Sequence, residues 1–282
     1  FHMKLLRVGK KNEEFIATLD KNEKLRNLSD HIKDLNPDTI NFKLLLDLNK
    51  IDIENLPLVD PQIRIGSCVS RPGDFLAIGL NYKAHAEGTK SKLPTEPILF
   101  NKSTGSIIGA NDPIEKPRSA NKLDYEVEVA MIIGKKGKYI KESDAQDYIF
   151  GYCIVNDISE RSWQKERGGQ WIKGKSIAGT CGPMIVTKDE IKNINNLNLT
   201  LDVNGERRQT GNTSRMIFNF DFLISHISQF MTLYPGTIIT TGTPAGTAME
   251  MKKPKFLQFG DKLESKVDFL GSQKNVIINE HI

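Results

Sequence analysis

The chain is poor in cysteine and lacks a long hydrophobic run, and each shortage excludes a class of protein. Three cysteines, Cys68, Cys153 and Cys181, occur among 282 residues. Their odd number and their spacing suit neither a disulfide framework nor a zinc motif. No stretch approaches the roughly 20 apolar residues of a membrane-spanning helix, and no signal peptide is recognisable. We therefore expect buried free thiols, no membrane partner and a cytoplasmic location.

Neither sign of charge is in large excess. The sequence carries 39 basic and 35 acidic residues, a net charge of +4, and the basic residues are scattered rather than clustered. A nucleic-acid partner is therefore not expected. A hydrophobic share of 38% and a charged share of 26% are typical of a globular protein. The length suits one large β-rich domain with a small appendage.

A small N-terminal α/β domain is predicted for residues 1–66, which are rich in Lys, Asn, Asp and Leu and poor in Gly. Phe1 and His2 are interpreted as a cloning remnant before Met3. Two prolines and a glycine near the end of the segment indicate a linker. The hydrophobic spacing predicts a hairpin and two short helices, with strands at 3–9 and 14–20 and helices at 24–32 and 41–49.

The second predicted domain, residues 67–282, has a different composition. Gly, Pro, Thr and β-branched residues are frequent, and short apolar runs alternate with turn signals. Two segments have helical spacing: 143–149, with Ser143 as a cap, and 220–233. The predicted class is mainly β with some α, that is α+β. The predicted strands are 74–82, 96–102, 125–134, 150–159, 182–187, 199–205 and 236–244.

Two acidic residues stand out in the run DYEVEVAMIIG. Because side chains alternate along a strand, Glu126 and Glu128 point to the same side. Adjacent carboxylates repel each other, which costs stability unless a cation neutralises them. A solvated acidic strand face is the alternative, although the run continues into Met131-Ile132-Ile133 as a buried strand does. This segment alone leaves both interpretations open.

A third carboxylate, Asp157, stands at the end of the apolar run GYCIVND. All three candidate ligands are oxygen donors, so the ion should be hard. Mg²⁺ is expected, with Mn²⁺ and Ca²⁺ as competitors. Three carboxylates leave coordination positions open for water and for a chelating substrate.

Several segments, in this order, resemble the fumarylacetoacetate hydrolase family: GLNYKAHAEG, PILFNK, LDYEVEVAMIIGK, GYCIVNDISERSWQ, GKS, VNGERRQTGNTSRMIF and PGTIITTGTPAG. The resemblance covers about residues 68–275 and makes the second domain the catalytic one. It implies a mixed β-roll around a metal, usually in a homodimer. The stretch NDISERSWQKERGGQWIKGKS is most similar to members called ureidoglycolate lyase or diketo-deoxy sugar acid hydrolase.

The resemblance also implies which residues act. The family's metal ligands fall on Glu126, Glu128 and Asp157. An Arg and a Gln that contact substrate oxygens fall on Arg161 and Gln164.

Three further positions complete the implied site. The Lys of the GKS segment is Lys175, a cation that would stabilise an enolate or oxyanion as it forms. Thr243 matches a position whose backbone or hydroxyl meets the substrate carboxylate. Asn81 is a further substrate-binding candidate.

The segment NYKAHAEG departs from the family pattern. Many hydrolytic members carry His-x-x-Glu, a pair that orients and deprotonates a water. Here the order is His85-Ala86-Glu87-Gly88, so the Glu is displaced by one position and Gly stands in its place. Positions three apart on a helix share a face, whereas positions two apart do not. Either the loop rearranges and Glu87 takes part in catalysis, or His85 acts alone.

The function implied is that of a metal-dependent hydrolase that cleaves a C–C bond in a small 2,4-dioxo acid, such as an acylpyruvate or a diketo-deoxy sugar acid. A ureidoglycolate lyase is one alternative. An isomerase or decarboxylase of oxo-dienoic acids is another, and it needs no attacking water. A non-catalytic metal-binding relative is disfavoured by the intact Arg161, Gln164 and Lys175.

Overall fold

The computed structural model describes residues 2–279. Phe1, part of the predicted cloning remnant, and residues 280–282 of the predicted catalytic domain lie outside the described residues. Within the described part, the chain forms sixteen strands, five α-helices and several short 3₁₀ helices.

The elements follow one another along the chain with these bounds. The strands are β1 (Lys4–Val8), β2 (Phe15–Leu19), β3 (Leu25–Asn27), β4 (Phe75–Gly79), β5 (Ile98–Asn101), β6 (Ile107–Gly109), β7 (Ile114–Lys116), β8 (Leu123–Asp124), β9 (Val127–Ile133), β10 (Ile149–Glu160), β11 (Ala178–Thr187), β12 (Asn198–Val203), β13 (Glu206–Asn212), β14 (Ile238–Thr240), β15 (Lys262–Val267) and β16 (Gly271–Asn279). The α-helices are α1 (Phe42–Leu48), α2 (Lys83–Gly88), α3 (Arg161–Lys165), α4 (Ile172–Lys175) and α5 (Phe220–Phe230). The 3₁₀ helices are Ile53–Asn55, Thr104–Ser106, Glu142–Tyr148, Lys188–Glu190, Thr213–Arg215 and Ala248–Glu250.

Most strands of the described part belong to one large mixed sheet. Its order is β3-β2-β1-β11-β10-β9-β14-β4-β5, with β6 paired to β11 and β8 to β10. The N-terminal hairpin joins the sheet through β1, where Leu5 pairs antiparallel with Ile185 of β11. The sheet therefore continues across the predicted boundary at residue 66, and the division into two domains stays a prediction.

Strands β9 and β10 lie in the middle of the large sheet and are buried along their whole length. One face of the sheet packs against α5 and a second sheet, whose order is β13-β12-β15-β16-β7. The other face packs against the N-terminal segment, including α1. A strand covered on both faces is apolar at nearly every position. A charged residue on such a strand therefore needs a specific partner.

Most of the predicted elements are confirmed, and two local predictions are corrected. The helix predicted at 24–32 is wrong, because β3 pairs with β2 there. The Arg26 guanidinium donates to the Asp20 carboxylate at 2.8 Å and to the Leu56 carbonyl at 2.9 Å, tertiary contacts that outweigh weak helix propensity. The segment 143–149 is a 3₁₀ helix in which Ser143 does not cap, since its hydroxyl donates to Asp144.

The balance of sheet and helix confirms the predicted α+β class. In residues 2–279, no helix has both the length and the apolar character that crossing a membrane requires.

Candidate active site

Three acidic side chains meet on one face of the large sheet. Glu128 on β9 lies opposite Val155 on β10, and the Asp157 N–H donates to the Glu126 carbonyl at 2.8 Å. Glu126 and Glu128 share a face, as their spacing predicts. One carboxylate oxygen from each of Glu126, Glu128 and Asp157 lies within 4.8 Å of the other two, and all three side chains are buried.

The predicted catalytic Lys175 and the predicted substrate-binding Arg161 both lie against Glu126. Lys175 Nζ is 2.6 Å from Glu126 Oε2 and 3.0 Å from Asp157 Oδ2, and Arg161 Nη2 is 2.6 Å from Glu126 Oε1. Burial would raise the pKa of Glu126, but Lys175 and Arg161 hold that pKa well below its usual value. Burial would likewise lower the pKa of Lys175, but Asp157 and Glu126 raise it. Lys175 is therefore a charged ammonium in the interior.

Among residues 2–279, Glu128 forms no such ion pair, although the charge of Lys175 partly opposes the rise in its pKa. Its Oε2 accepts from the Thr240 hydroxyl and from the Gly242 N–H at 2.9 Å. Burial, together with the charges of Asp157 and Glu126, raises the pKa of Glu128 well above its usual value. A buried carboxyl whose charge is unbalanced, next to two more oxygen donors, fits a hard divalent cation.

A buried lysine that the sequence reasoning missed completes this cluster. Lys102, which follows β5, is inaccessible to solvent, and its Nζ lies 2.5 Å from Asp157 Oδ1. It also donates to the Lys175 carbonyl. Burial lowers the pKa of Lys102, although Asp157 opposes the shift. Its position directly after an apolar strand was the one sequence feature that could have indicated a buried lysine. A lysine at the end of a strand is equally typical of a surface turn.

His85 lies on α2, and its partner is a residue that the sequence did not suggest. His85 Nδ1 is 3.1 Å from Oε2 of Glu250, and both side chains are buried. Glu87 instead points outward, with a side chain that is 60% exposed and lies 3.8 Å from Lys83 Nζ. Glu87 therefore points away from His85 here, as residues two apart on a helix do, and its part in catalysis stays a prediction that requires the loop to rearrange.

Glu250 is held firmly by its own turn. Its Oε2 accepts from the Gly246 N–H at 2.9 Å and from the N–H and hydroxyl of Thr247, each at 2.7 Å. Burial would raise the pKa of Glu250, but His85 and Thr247 lower it. A Cβ at Gly88 would lie 2.2 Å from Glu250 Oε1. The Glu250 carboxylate therefore fills the space beside position 88, where the His-x-x-Glu pattern has its glutamate.

Asp124 joins the Glu250 turn to the carboxylate cluster. Its Oδ1 accepts from the Ala248 N–H at 2.8 Å, and its Oδ2 accepts from Arg161 Nε at 2.9 Å. Arg161 in turn contacts Glu126. The turn that carries Glu250 is thus fixed relative to the metal ligands.

His85, Glu126 and Glu128 face one partly open cavity of about 50 Å³. This volume holds water but is too small for a substrate of several carbons, so wall residues such as Trp171 have to move when one binds. Thr243, whose hydroxyl donates to the Val127 carbonyl at 2.9 Å, is also part of the wall. The residues around the cavity include His85, Glu126, Glu128, Arg161, Gln164, Lys165, Trp171, Lys175, Thr243 and Met249.

Asn81 does not line this cavity, although substrate binding was expected of it. Its side-chain amide donates to the carbonyls of Phe218 at 2.9 Å and Thr241 at 2.8 Å, and its oxygen accepts from the Phe218 N–H at 2.8 Å. The amide holds three backbone groups in place, and substrate binding by Asn81 stays a prediction.

Residues 74–278 match the family model described as Fumarylacetoacetate (FAA) hydrolase C-terminal. A Burkholderia ambifaria protein named "Putative hydrolase" is 47% identical over 274 residues, 96% of this chain and 97% of that protein. A solved fumarylacetoacetate hydrolase from Exiguobacterium antarcticum has a TM-score of 0.82 at 28% identity, with 99% of this chain and 100% of that chain covered. A 2-hydroxyhepta-2,4-diene-1,7-dioate isomerase from Mycobacterium marinum has a TM-score of 0.78 at 27% identity, with the same coverage.

Proposed function

Because the chain belongs to the fumarylacetoacetate hydrolase family, we propose that it is a divalent-metal-dependent hydrolase that cleaves a C–C bond in a small 2,4-dioxo acid. One observation carries the proposal: His85, paired with Glu250, lines the same cavity as Glu126 and Glu128. Hydrolysis of such a substrate needs both a base for water and a cation site for the oxo acid.

Glu126, Glu128 and Asp157 are the proposed holders of the cation. Mg²⁺ suits their oxygen donors best, with Mn²⁺ or Ca²⁺ as competitors. When bound, the cation would polarise the carboxylate and 2-oxo oxygens of the substrate as a Lewis acid. The raised pKa of Glu128 supports this assignment, since a buried carboxylate with no cation of its own gains most from one.

His85 is the proposed base that activates water. Its Nδ1 faces Glu250, which leaves Nε2 to take the proton. Glu250 orients the imidazole ring and stabilises the imidazolium that forms. Because the pKa of Glu250 is lowered, this carboxylate remains charged while His85 gains its proton. The water oxygen then attacks the distal carbonyl carbon, C4.

Collapse of the tetrahedral adduct breaks the C3–C4 bond. A carboxylic acid departs, and the electron pair of the broken bond forms the enolate of the 2-oxo acid. Lys175 and Arg161, both at the cavity, stabilise the negative charge on the enolate oxygen, while Gln164 and Thr243 orient the substrate. The His85 imidazolium returns its proton to C3, so one water is consumed and a 2-oxo acid such as pyruvate is formed.

An isomerase of oxo-dienoic acids is the second candidate. The Mycobacterium marinum protein of similar structure is named for such an activity. His85 would then carry a proton between two carbon atoms, and no water would be incorporated. A decarboxylase of oxo-dienoic acids and a ureidoglycolate lyase are the remaining alternatives.

The test is a substrate panel with Mg²⁺-loaded protein in ¹⁸O-labelled water. Acylpyruvates, diketo-deoxy sugar acids, oxo-dienoic acids and ureidoglycolate are supplied separately, and the products are identified by mass spectrometry, with a chelator control. The proposal expects a 2-oxo acid plus a carboxylic acid that carries ¹⁸O, both lost on chelation. A product of unchanged mass, CO₂ release, or urea with glyoxylate would replace the hydrolase with one of the alternatives.

A homodimer and a cytoplasmic location are further parts of this proposal. Light scattering should give a mass near twice the 31.7 kDa of one chain, and a mass of one chain would contradict the homodimer. Cell fractionation tests the location.

A further inference from the structure

The three cysteines of the chain form one cluster in the protein interior. Cys68 Sγ is 3.5 Å from Cys181 Sγ, and Cys153 Sγ is 3.7 Å from Cys181 Sγ. All three sulfur atoms lie within 4.8 Å of one another, and none of the three residues is accessible to solvent. The sequence predicted buried free thiols, but their spacing along the chain could not indicate that they converge.

The backbone fixes this arrangement. Cys181 on β11 pairs with Val155 on β10, and Cys153 lies two residues before Val155, so the two cysteines are diagonal neighbours on one face. Cys68 comes from the segment that precedes β4, and its N–H donates to the Cys181 carbonyl at 3.1 Å. Each sulfur is therefore held by a different segment.

The spacing of the sulfur atoms fits a metal–thiolate site. With a metal–sulfur distance of about 2.3 Å, two ligands of a tetrahedral ion lie about 3.8 Å apart, close to the 3.5 and 3.7 Å observed. A disulfide requires roughly 2.0 Å. Three thiols packed as small apolar groups are the simpler alternative, but that role gives no reason for all the cysteines to meet.

An arginine and a cleft lie beside this point. The Arg7 guanidinium is buried and donates to the Ser67 carbonyl at 3.0 Å, next to Cys68, although its charge is already paired with Asp34 and Glu14. A cleft of about 670 Å³ includes Ser67, Val69 and Gly109 in its wall. Ser67 and Val69 flank Cys68, and Gly109 pairs with Cys181, so the cleft lies next to the cluster, although no cysteine forms part of its wall.

We propose that Cys68, Cys153 and Cys181 form a second metal site that binds a thiophilic d¹⁰ ion, Zn²⁺ or Cu⁺. Thiolates select these soft ions, whereas the carboxylate cluster selects hard ones. Binding releases the thiol protons and ties the N-terminal part of the chain, through Cys68, to β10 and β11. The site stabilises the fold and takes no part in the reaction proposed for the carboxylate centre.

Titration with Co²⁺ tests the site in the whole 282-residue chain. The reduced, metal-stripped Glu128→Gln variant, whose carboxylate site is impaired, is titrated with Co²⁺ both after folding and during refolding. One equivalent should produce a sulfur-to-cobalt charge-transfer absorbance, and Zn²⁺ should remove it. A competition with the chelator bathocuproine disulfonate measures the affinity of the site for Cu⁺. Comparison with the affinity for Zn²⁺ shows which ion binds more tightly. No charge-transfer band, together with no competition for Cu⁺, would overturn the proposal.

Thermal stability gives a second measurement. Saturating Zn²⁺ or Cu⁺ should raise the Tm of the Glu128→Gln variant by about 5 °C. The gain should disappear when Cys68→Ala is added, a change outside the strands that circular dichroism can check for folding. An equal gain with and without Cys68 would also overturn the proposal.

Discussion

The carboxylate centre and the His85–Glu250 pair face each other but are built in different ways. Glu128 and Asp157 lie on strands that neighbouring strands hydrogen-bond on both sides. His85 lies on a six-residue helix, and Glu250 lies on a 3₁₀ turn of three residues. The half of the site that we propose to hold the metal is thus part of the rigid sheet, whereas the half that we propose to activate water is carried by short elements.

This difference predicts which part of the site tolerates a change of sequence position. A ligand on a buried strand cannot move to a neighbouring position, because the next side chain faces the other side. The partner of His85 can come from any segment that reaches the same space. Here Glu250 fills the space beside Gly88, so His85 has a carboxylate next to it although position 88 of the His-x-x-Glu pattern carries no glutamate.

The largest effect is expected in the rigid half. Glu128→Gln should lower kcat/KM by about 10³-fold or more, because several kcal/mol of charge stabilisation are lost with the cation. Calorimetric titration with Mg²⁺ and the dioxo-acid assay measure the two losses. Glu115→Gln, which changes an exposed glutamate on β7, is the matched control. A Glu128→Gln variant that keeps both metal and activity would disprove the assignment.

Lys175 should matter nearly as much, although it is not a metal ligand. Lys175→Met should lower kcat by about 10²- to 10³-fold, since a cation aimed at the developing oxyanion is lost. Mg²⁺ should bind at least as tightly, because Glu126 loses a competing partner. Lys173→Met, at the exposed lysine two residues earlier, should be neutral. Loss of Mg²⁺ binding with Lys175→Met would mean that the lysine organises the site.

The half that carries His85 and Glu250 can be tested by moving its carboxylate. Glu250→Ala should lower kcat by about 10²-fold. Adding Gly88→Glu to that variant restores the His-x-x-Glu pattern, and about tenfold of the activity should return. Gly88 lies in α2 and does not adopt a left-handed conformation, so a side chain is tolerated once Glu250 is shortened. A folded double variant with no recovery would contradict the idea that the two positions share one space.

The smallest expected effect concerns stability and pH. Burial and the charges of Asp157 and Glu126 raise the pKa of Glu128 well above its ordinary value of 4.5, so the folded metal-free protein binds this proton more tightly than the unfolded chain does. This stabilisation is complete below pH 4.5 and is lost as the pH rises through the raised pKa. The Tm of the metal-free protein should therefore fall over that window relative to Glu128→Gln. A constant Tm difference between the two proteins would show that the Glu128 pKa is not raised.

The sequence was sufficient where the structural signal is local. Strand alternation places Glu126 and Glu128 on one face whatever the rest of the chain does. The sequence was insufficient where contacts join distant segments. Glu250 gives no local sign of its pairing with His85. The three cysteines meet only because β10 pairs with β11 in one register and because the segment before β4 packs beside them. The helix prediction for residues 24–32 was wrong for the same reason, since the contacts of Arg26 with Asp20 and Leu56 decide the conformation of this segment.

The most direct test of the account compares two glutamates near His85. Glu250→Gln and Glu87→Gln are each assayed for hydrolysis of an acylpyruvate at saturating Mg²⁺, with Mg²⁺ affinity measured in parallel. The account predicts that Glu250→Gln loses about 10²-fold in kcat with Mg²⁺ binding unchanged, whereas Glu87→Gln retains full activity. Activity lost in Glu87→Gln and retained in Glu250→Gln would show that α2 rearranges on substrate binding and that the His85–Glu250 pair is not the catalytic one.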